Sequence, residues 1–142
     1  MDYHVKEFSD LTTKEFFEIV KLRIAVFVVE QNCPYQEVDE LDEVAWHTWL
    51  QEGSAIVGYT RIIDKGETVT FGRVLVNPDY RRKKLGNKLI EETLKMIAEK
   101  FPNRSIIIGA QAHLTDFYGA FGFETISEVY LEGDIPHIQM RK

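Results

Sequence analysis

Thr70–Ile90, TFGRVLVNPDYRRKKLGNKLI, reads as a strand, a turn and the opening of a helix. Phe71–Val76 has the β-branched and apolar character of a buried strand. Asn77-Pro78-Asp79 ends it, because proline has no N–H for a ladder and Asn and Asp favour turns. Arg81-Arg82-Lys83-Lys84-Leu85-Gly86 then enters a helix whose predicted buried stripe is Leu85, Leu89, Ile90, Leu94 and Ile97. The first turn of a helix has free N–H groups and the positive end of the dipole. Four cationic side chains crowd that end, so something negative, such as a phosphate, is expected there to offset the conflict. A solvated basic turn is the plainer alternative.

Around this stretch lies one domain's worth of chain, residues 1–142, long enough to bury roughly two-thirds of its unfolded surface. With 44% hydrophobic and 28% charged residues, the composition is that of an ordinary globular domain. The formal net charge of −6 argues against a nucleic-acid binder, which needs a broad basic face. Against that background, the basic turn looks like a small-anion site. The single cysteine, Cys33, excludes an internal disulfide and a multi-cysteine zinc site. Four scattered histidines lack metal-ligand spacing on one helix, so no metal is expected. No apolar run reaches the ~20 residues of a membrane span and no signal peptide opens the chain. A cytoplasmic location is the default expectation.

In order, Asp2–Phe8 is a short predicted first strand. Thr12 and Glu15 fit a capping box. The helix after them, with Phe16, Phe17, Ile19, Val20, Ile24 and Phe27, should be largely buried, Arg23 and Glu30 being its polar exceptions. Gln31–Glu43 is an acidic loop. Ala45–Leu50, Ala55–Ile63 and Phe71–Val76 form a predicted antiparallel meander through two Gly-containing turns. A helix at about 85–100 precedes Ser105–Ala110, SIIIGA, a continuous apolar run typical of a buried parallel strand. The strand–helix–strand crossover is then right-handed. A short helix over Thr115–Phe121 and a closing hairpin around Glu132-Gly133-Asp134 complete an α/β chain with a mixed sheet.

This order, with GRVLV and the basic turn after the fourth strand and FYGAFGF at Phe117–Phe123 after the fifth, resembles the GNAT superfamily of acyl-CoA N-acyltransferases. The likeness spans essentially the whole chain. VFVVEQNCPYQEVDELD, GAQAHLTDFYGAFGF and GDIPHIQM resemble the ElaA group of small GNAT proteins. One departure stands out. The superfamily turn is Q/R-x-x-G-x-G/A, and here Lys84 takes the place of its first glycine.

The resemblance implies a GNAT-like mixed sheet of six to seven strands flanked by about four helices, with strands 4 and 5 parallel and splayed. The cofactor's pantetheine arm would lie in the gap, pairing with backbone at Val74, Leu75 and Val76. Backbone N–H groups over Arg82–Gly86, with Arg81, Lys83, Lys84, Leu85, Asn87 and Lys88 around them, would hold the pyrophosphate. Gln111 takes the place of the family's usual Asn as an amide able to bond the pantetheine, with Phe117 nearby; a plain strand-end residue is its other reading. Tyr118 matches the residue that protonates, or hydrogen-bonds, the leaving thiolate. A plain core aromatic is the other reading of Tyr118.

The general base is open among Glu30, His47 and His113; His137 reads as a turn or pocket-wall residue. Arg23, Phe27, Glu37, Asp39, Asp42 and Arg61 resemble the pattern of acyl-homoserine-lactone synthases, which share this fold and in which the acidic cluster and arginines line the acceptor site; Arg73 is a further substrate-binding candidate. An ordinary solvated acidic loop would look the same in sequence. The expected function is acetyl transfer from acetyl-CoA to a small primary amine by direct attack. Alternatives are a lactone-synthase-like acyltransferase and an acyl-CoA-binding module without turnover. The expected partner is a small-molecule amine, with no nucleic acid and no membrane; a homodimer is left open.

Overall fold

The computed structural model describes residues 1–142. Its elements run β1 (Asp2–Glu7), α1 (Thr13–Ile24), β2 (Trp46–Glu52), β3 (Ala55–Asp64), β4 (Thr68–Val76), α2 (Leu85–Lys100), β5 (Ser105–Gln111), α3 (Thr115–Gly119), β6 (Glu124–Thr125), β7 (Tyr130–Glu132) and β8 (Ile135–Arg141). One eight-stranded sheet has the order β1-β2-β3-β4-β5-β8-β6, with β7 paired to β8. β4 and β5 are the one parallel pair. The sheet thus has eight strands instead of six to seven, because β6 and β7 are separate short strands. The α-helices number three instead of about four; the remaining helical pieces are single turns and a π-helical extension of α1.

Thr12 and Glu15 close a full capping box on α1. After Ile24 the helix widens into a π-helical stretch, Ala25–Glu30, a feature that often marks functional sites. Burial on this helix is narrower than its composition predicts. Ile19, Arg23, Val26 and Phe27 are buried, while Phe17 and Val29 face outward. Ile19, Val26 and Phe27 pack on Trp49, Tyr59 and Leu75. On the sheet's other face, α2 places Leu89 against Leu50 and Val57, and Ile90, Met96 and Ile97 against a core of Ile62, Val69, Phe71 and Ile106. Gly58 permits this approach: a Cβ there would lie 3.3 Å from a Leu89 methyl and 3.4 Å from the Leu75 carbonyl.

The β7–β8 hairpin turns through Gly133 and Asp134, both at positive φ, as a two-residue I′ turn requires. No helix is long and apolar enough to cross a membrane.

Candidate active site

β4 and β5 pair only at Thr68↔Ser105 and Val69↔Ile106 and then part. The parting coincides with a bulge. Tyr59 pairs with Leu75, but Arg61 pairs with Gly72, so β4 carries an extra residue there. Arg73, in the bulge, has φ 49°, a left-handed conformation that bends the strand and re-aims its side chain. The opening is a cleft of about 660 Å³. Its walls are Thr70–Val74 of β4 and Ile108–Gln111 of β5, with Tyr118 of α3 at the side. The β7–β8 hairpin supplies Tyr130, Glu132, Ile135 and His137, and the loop after α1 supplies Gln31, Cys33, Tyr35 and Asp39.

Beyond the C-terminal end of β4 lies the basic turn. Arg82 (φ 68°) and Lys84 (φ 57°) are both left-handed, and Lys84 sits at the N-cap of α2. Lys84 therefore adopts the backbone conformation that a glycine would take without strain. Unlike α1, α2 opens with no side-chain cap and no acid in its first turn. Its first N–H groups thus have no side-chain acceptor, and an anion fits there. Phe117 joins turn and cleft: its ring packs edge-on to Tyr118 with centroids 5.1 Å apart and lies 3.7 Å from where a Gly86 Cβ would stand.

Below the cleft, Arg23 is fully buried between two carboxylates. Its Nε donates to both Glu37 oxygens (3.1 and 2.9 Å), Nη1 to Asp42 Oδ1 (2.6 Å), and Nη2 to Asp42 Oδ2 (3.2 Å) and the Glu37 carbonyl (3.1 Å). Arg61 Nη1 bridges Asp39 (2.7 Å) and Asp42 (3.1 Å). Arg73 donates from Nη2 to the Glu37 carbonyl at 2.9 Å; its Nε lies 2.7 Å from Glu37 Oε2, close enough for an ion pair though misaligned for a hydrogen bond. Burial opposes charge on Asp42, but the bonds from Arg23, helped by the Asp39 amide and Arg61, hold its carboxyl below the usual range.

The acetyltransferase (GNAT) domain model matches residues 9–142. The chain belongs to the GNAT acetyltransferase family. Within it, the chain is similar to protein ElaA of Escherichia coli K12, at 41% identity over 94% of this chain and 91% of that protein. A crystal structure of an acyl-CoA N-acyltransferase from Pseudomonas aeruginosa superposes with a TM-score of 0.95 at 41% identity, covering 99% of this chain and 98% of that one. The E. coli ElaA crystal structure superposes equally well, with a TM-score of 0.95 at 40% identity over 100% and 99% of the two chains. The chain is thus an ElaA-like, acyl-CoA-dependent acyltransferase of the GNAT fold.

Of the residues singled out in the sequence, Val74, Gln111, Tyr118, Asp39, Arg61 and Arg73 line the cleft together. Leu75 is instead buried under α1, and Val76 packs towards Gly86. Arg81, Arg82, Lys83 and Lys84, with Leu85–Lys88, lie at the helix opening outside the cleft proper. Arg23, Glu37 and Asp42 do not reach the cleft; their charges are spent on one another and hold the 31–43 loop to the sheet.

Each of the three base candidates lies away from the cleft. Glu30 pairs with Arg81 in a two-pronged bridge, 2.6 Å at each prong, and these bonds hold its carboxyl below the usual range. His47 is wholly buried: Nε2 donates to the Asp42 carbonyl (2.8 Å), Nδ1 accepts from the Tyr59 hydroxyl (2.7 Å), and burial pushes its pKa down. His113 is exposed on the turn before α3. His137, by contrast, does line the cleft. Of its two readings in the sequence, turn or pocket wall, the pocket wall is where His137 lies, and period-two alternation puts Ile135, His137 and Gln139 on one strand face.

Burial pushes the Tyr118 hydroxyl up to about 12, with no charge or hydrogen-bonding neighbour contributing. It stays protonated at neutral pH, on a residue that lines the cleft.

Proposed function

We propose that this protein is an acetyl-CoA-dependent N-acetyltransferase that acts on a small primary amine by direct attack. The observation that carries the reading is the parting of β4 from β5 after two paired positions, with Tyr118 lining the opening. The freed edges of Gly72–Val74 and Gly109–Gln111 offer main-chain groups for an extended, amide-bearing arm to pair with, as an added strand would. The uncapped start of α2, ringed by Arg81, Arg82, Lys83 and Lys84, suits that arm's pyrophosphate. Acetyl-CoA supplies the activated thioester; the chain supplies position and a dipole.

Holding the amine beside the acetyl group removes most of the entropic barrier, so no nucleophilic side chain is required. As the thiolate departs, negative charge grows on sulfur and Tyr118 O–H donates a hydrogen bond to it. Complete proton transfer from a phenol near 12 to a thiolate whose acid has a pKa of about 8.5 would run uphill. Tyr118 therefore acts as a hydrogen-bond donor to the developing charge. The net charge of −6 draws cationic amines towards the protein.

The test is thiol release from acetyl-CoA across a panel of amines, polyamines, amino sugars and peptides, with Tyr118→Phe beside the wild type. Loss of one positioned donor lowers kcat about 10²–10³-fold, with KM for acetyl-CoA unchanged. Turnover by Tyr118→Phe at the wild-type rate would refute the assigned role. Coenzyme A binding with no turnover of any amine would instead favour the binding module.

A further inference from the structure

We propose that His137, on the closing hairpin, is the base that takes the proton from the acceptor amine, with Glu132 as its charge partner. This rests on the acetyltransfer reading above. His137 Nδ1 lies 2.7 Å from the Ile135 carbonyl. A carbonyl only accepts, so Nδ1 carries a hydrogen, and in the neutral ring Nε2 keeps its lone pair. Nε2 stands 3.6 Å from Glu132 Oε2. A proton arriving on Nε2 therefore meets a carboxylate that stabilises the imidazolium. Tyr130 stacks on the imidazole at 6.1 Å and 29°, and Gln111 is the backbone partner of His137 across β5–β8.

The side chain of His137 is only 13% exposed, yet it lines the same cleft as Tyr118. Glu132, 67% exposed, connects it with solvent. On its own hairpin the titratable neighbours are Glu132 and Tyr130. Across the cleft the charged groups are Lys65, Asp39, Arg61 and Arg73, of which the last three are paired with one another or with Glu37 and Asp42. Cys33, Tyr35 and Tyr118 complete the cleft's titratable set.

The step balances as follows. An ammonium group gives one proton to Nε2 and becomes a free amine. Its lone pair forms the N–C bond to the acetyl carbon while the C–S bond breaks, leaving its electrons on sulfur. The second proton shed by nitrogen ends on the sulfur, whose charge Tyr118 has held meanwhile. The proton on Nε2 leaves to water past Glu132.

Two measurements test this. The first is the pH profile of kcat and KM for wild type, His137→Gln and Glu132→Gln with the best amine of the panel. Proton-transfer catalysis is worth about 10²–10⁴-fold, so His137→Gln is expected to lose that much kcat, keep KM for acetyl-CoA, and lose the acid limb of the profile. Glu132→Gln keeps the limb and loses less kcat than His137→Gln. The second is imidazole ¹⁵N NMR of the same proteins without substrate. The His137 ring should show the Nδ1–H tautomer. A His137→Gln enzyme within threefold of wild-type kcat with its acid limb intact would overturn the proposal. So would a ring protonated on Nε2 at neutral pH. If the wild type acetylates no amine, the transferase reading has failed, and the NMR result alone decides whether His137 is built as a base.

Discussion

Replacing Arg23 by Met removes the one fully buried cation of the network while nearly preserving volume. Glu37 and Asp42 are then left facing each other in the interior, with Arg61 still on Asp42 and Arg73 still against Glu37. Charges that balanced three against three become two cations against three carboxylates. Breaking a buried pair from one side costs about 3–5 kcal/mol, because an uncompensated charge stays buried. With a urea slope of about 2 kcal/mol/M for a domain of this size, the midpoint should fall by about 1.5–2.5 M. The pH dependence carries a sign. In the wild type Asp42 titrates below its unfolded value, so its contribution is present above the unfolded pKa and lost as pH falls through the folded one. Without Arg23, burial is the larger influence and raises the carboxyl, so the deficit is largest at neutral pH and shrinks on acidification as the orphaned acid takes a proton. Urea unfolding followed by tryptophan fluorescence at pH 7.5 and 4.5 measures both. A loss under about 1 kcal/mol at pH 7.5, or a deficit that grows towards acid, would refute the reasoning.

At Gly86 a methyl would meet only ordinary contacts, 3.7 Å from Phe117 and 3.8 Å from Val76. Gly86→Ala should therefore stabilise α2 by about 0.5–1 kcal/mol, raising the melting temperature, while weakening coenzyme A binding in calorimetry if its backbone approaches the phosphates. Glu30→Gln should change stability by less than about 1 kcal/mol, since both partners of its bridge are about two-fifths exposed. It frees Arg81, so KM for acetyl-CoA should fall at unaltered kcat; a kcat loss of about 10²-fold or more would restore Glu30 as the base.

Local chemistry was legible in the sequence. The capping box at Thr12 and Glu15 and the helix over residues 85–100 follow from neighbours in the chain, and both stand where expected. The parting of β4 and β5 was not readable from residue types; it came through the resemblance, because neither the bulge at Arg73 against β3 nor the length of the β4–β5 ladder is set by residue type. The spacing of Glu37, Asp39 and Asp42 was visible, but its burial was not, since carboxylates are rarely buried unless paired and their partners lie on α1, β3 and β4. The histidines divide on the same ground. His47 sits on a strand covered on both faces, and His137 reaches the cleft only through the register that sets it opposite Gln111. Phe17 and Val29 escape burial because the helix presents one stripe to the sheet, whatever its total apolar content.

The kink at Arg73 has a reach beyond its own strand. The backbone twist that opens the sheet also sends the guanidinium onto the Glu37 carbonyl and beneath the Tyr35 ring, 5.3 Å from its centroid. A single left-handed residue thereby ties the proposed donor groove to the loop that walls the opposite side. Of that loop's cleft-lining residues, Gln31, Tyr35 and Gln36 take no part in the sheet's hydrogen-bond ladder. Under the proposed function, drift at those positions changes which amine is admitted while the grip on the thiol carrier stays constant, a division of labour that lets one scaffold diversify its guests.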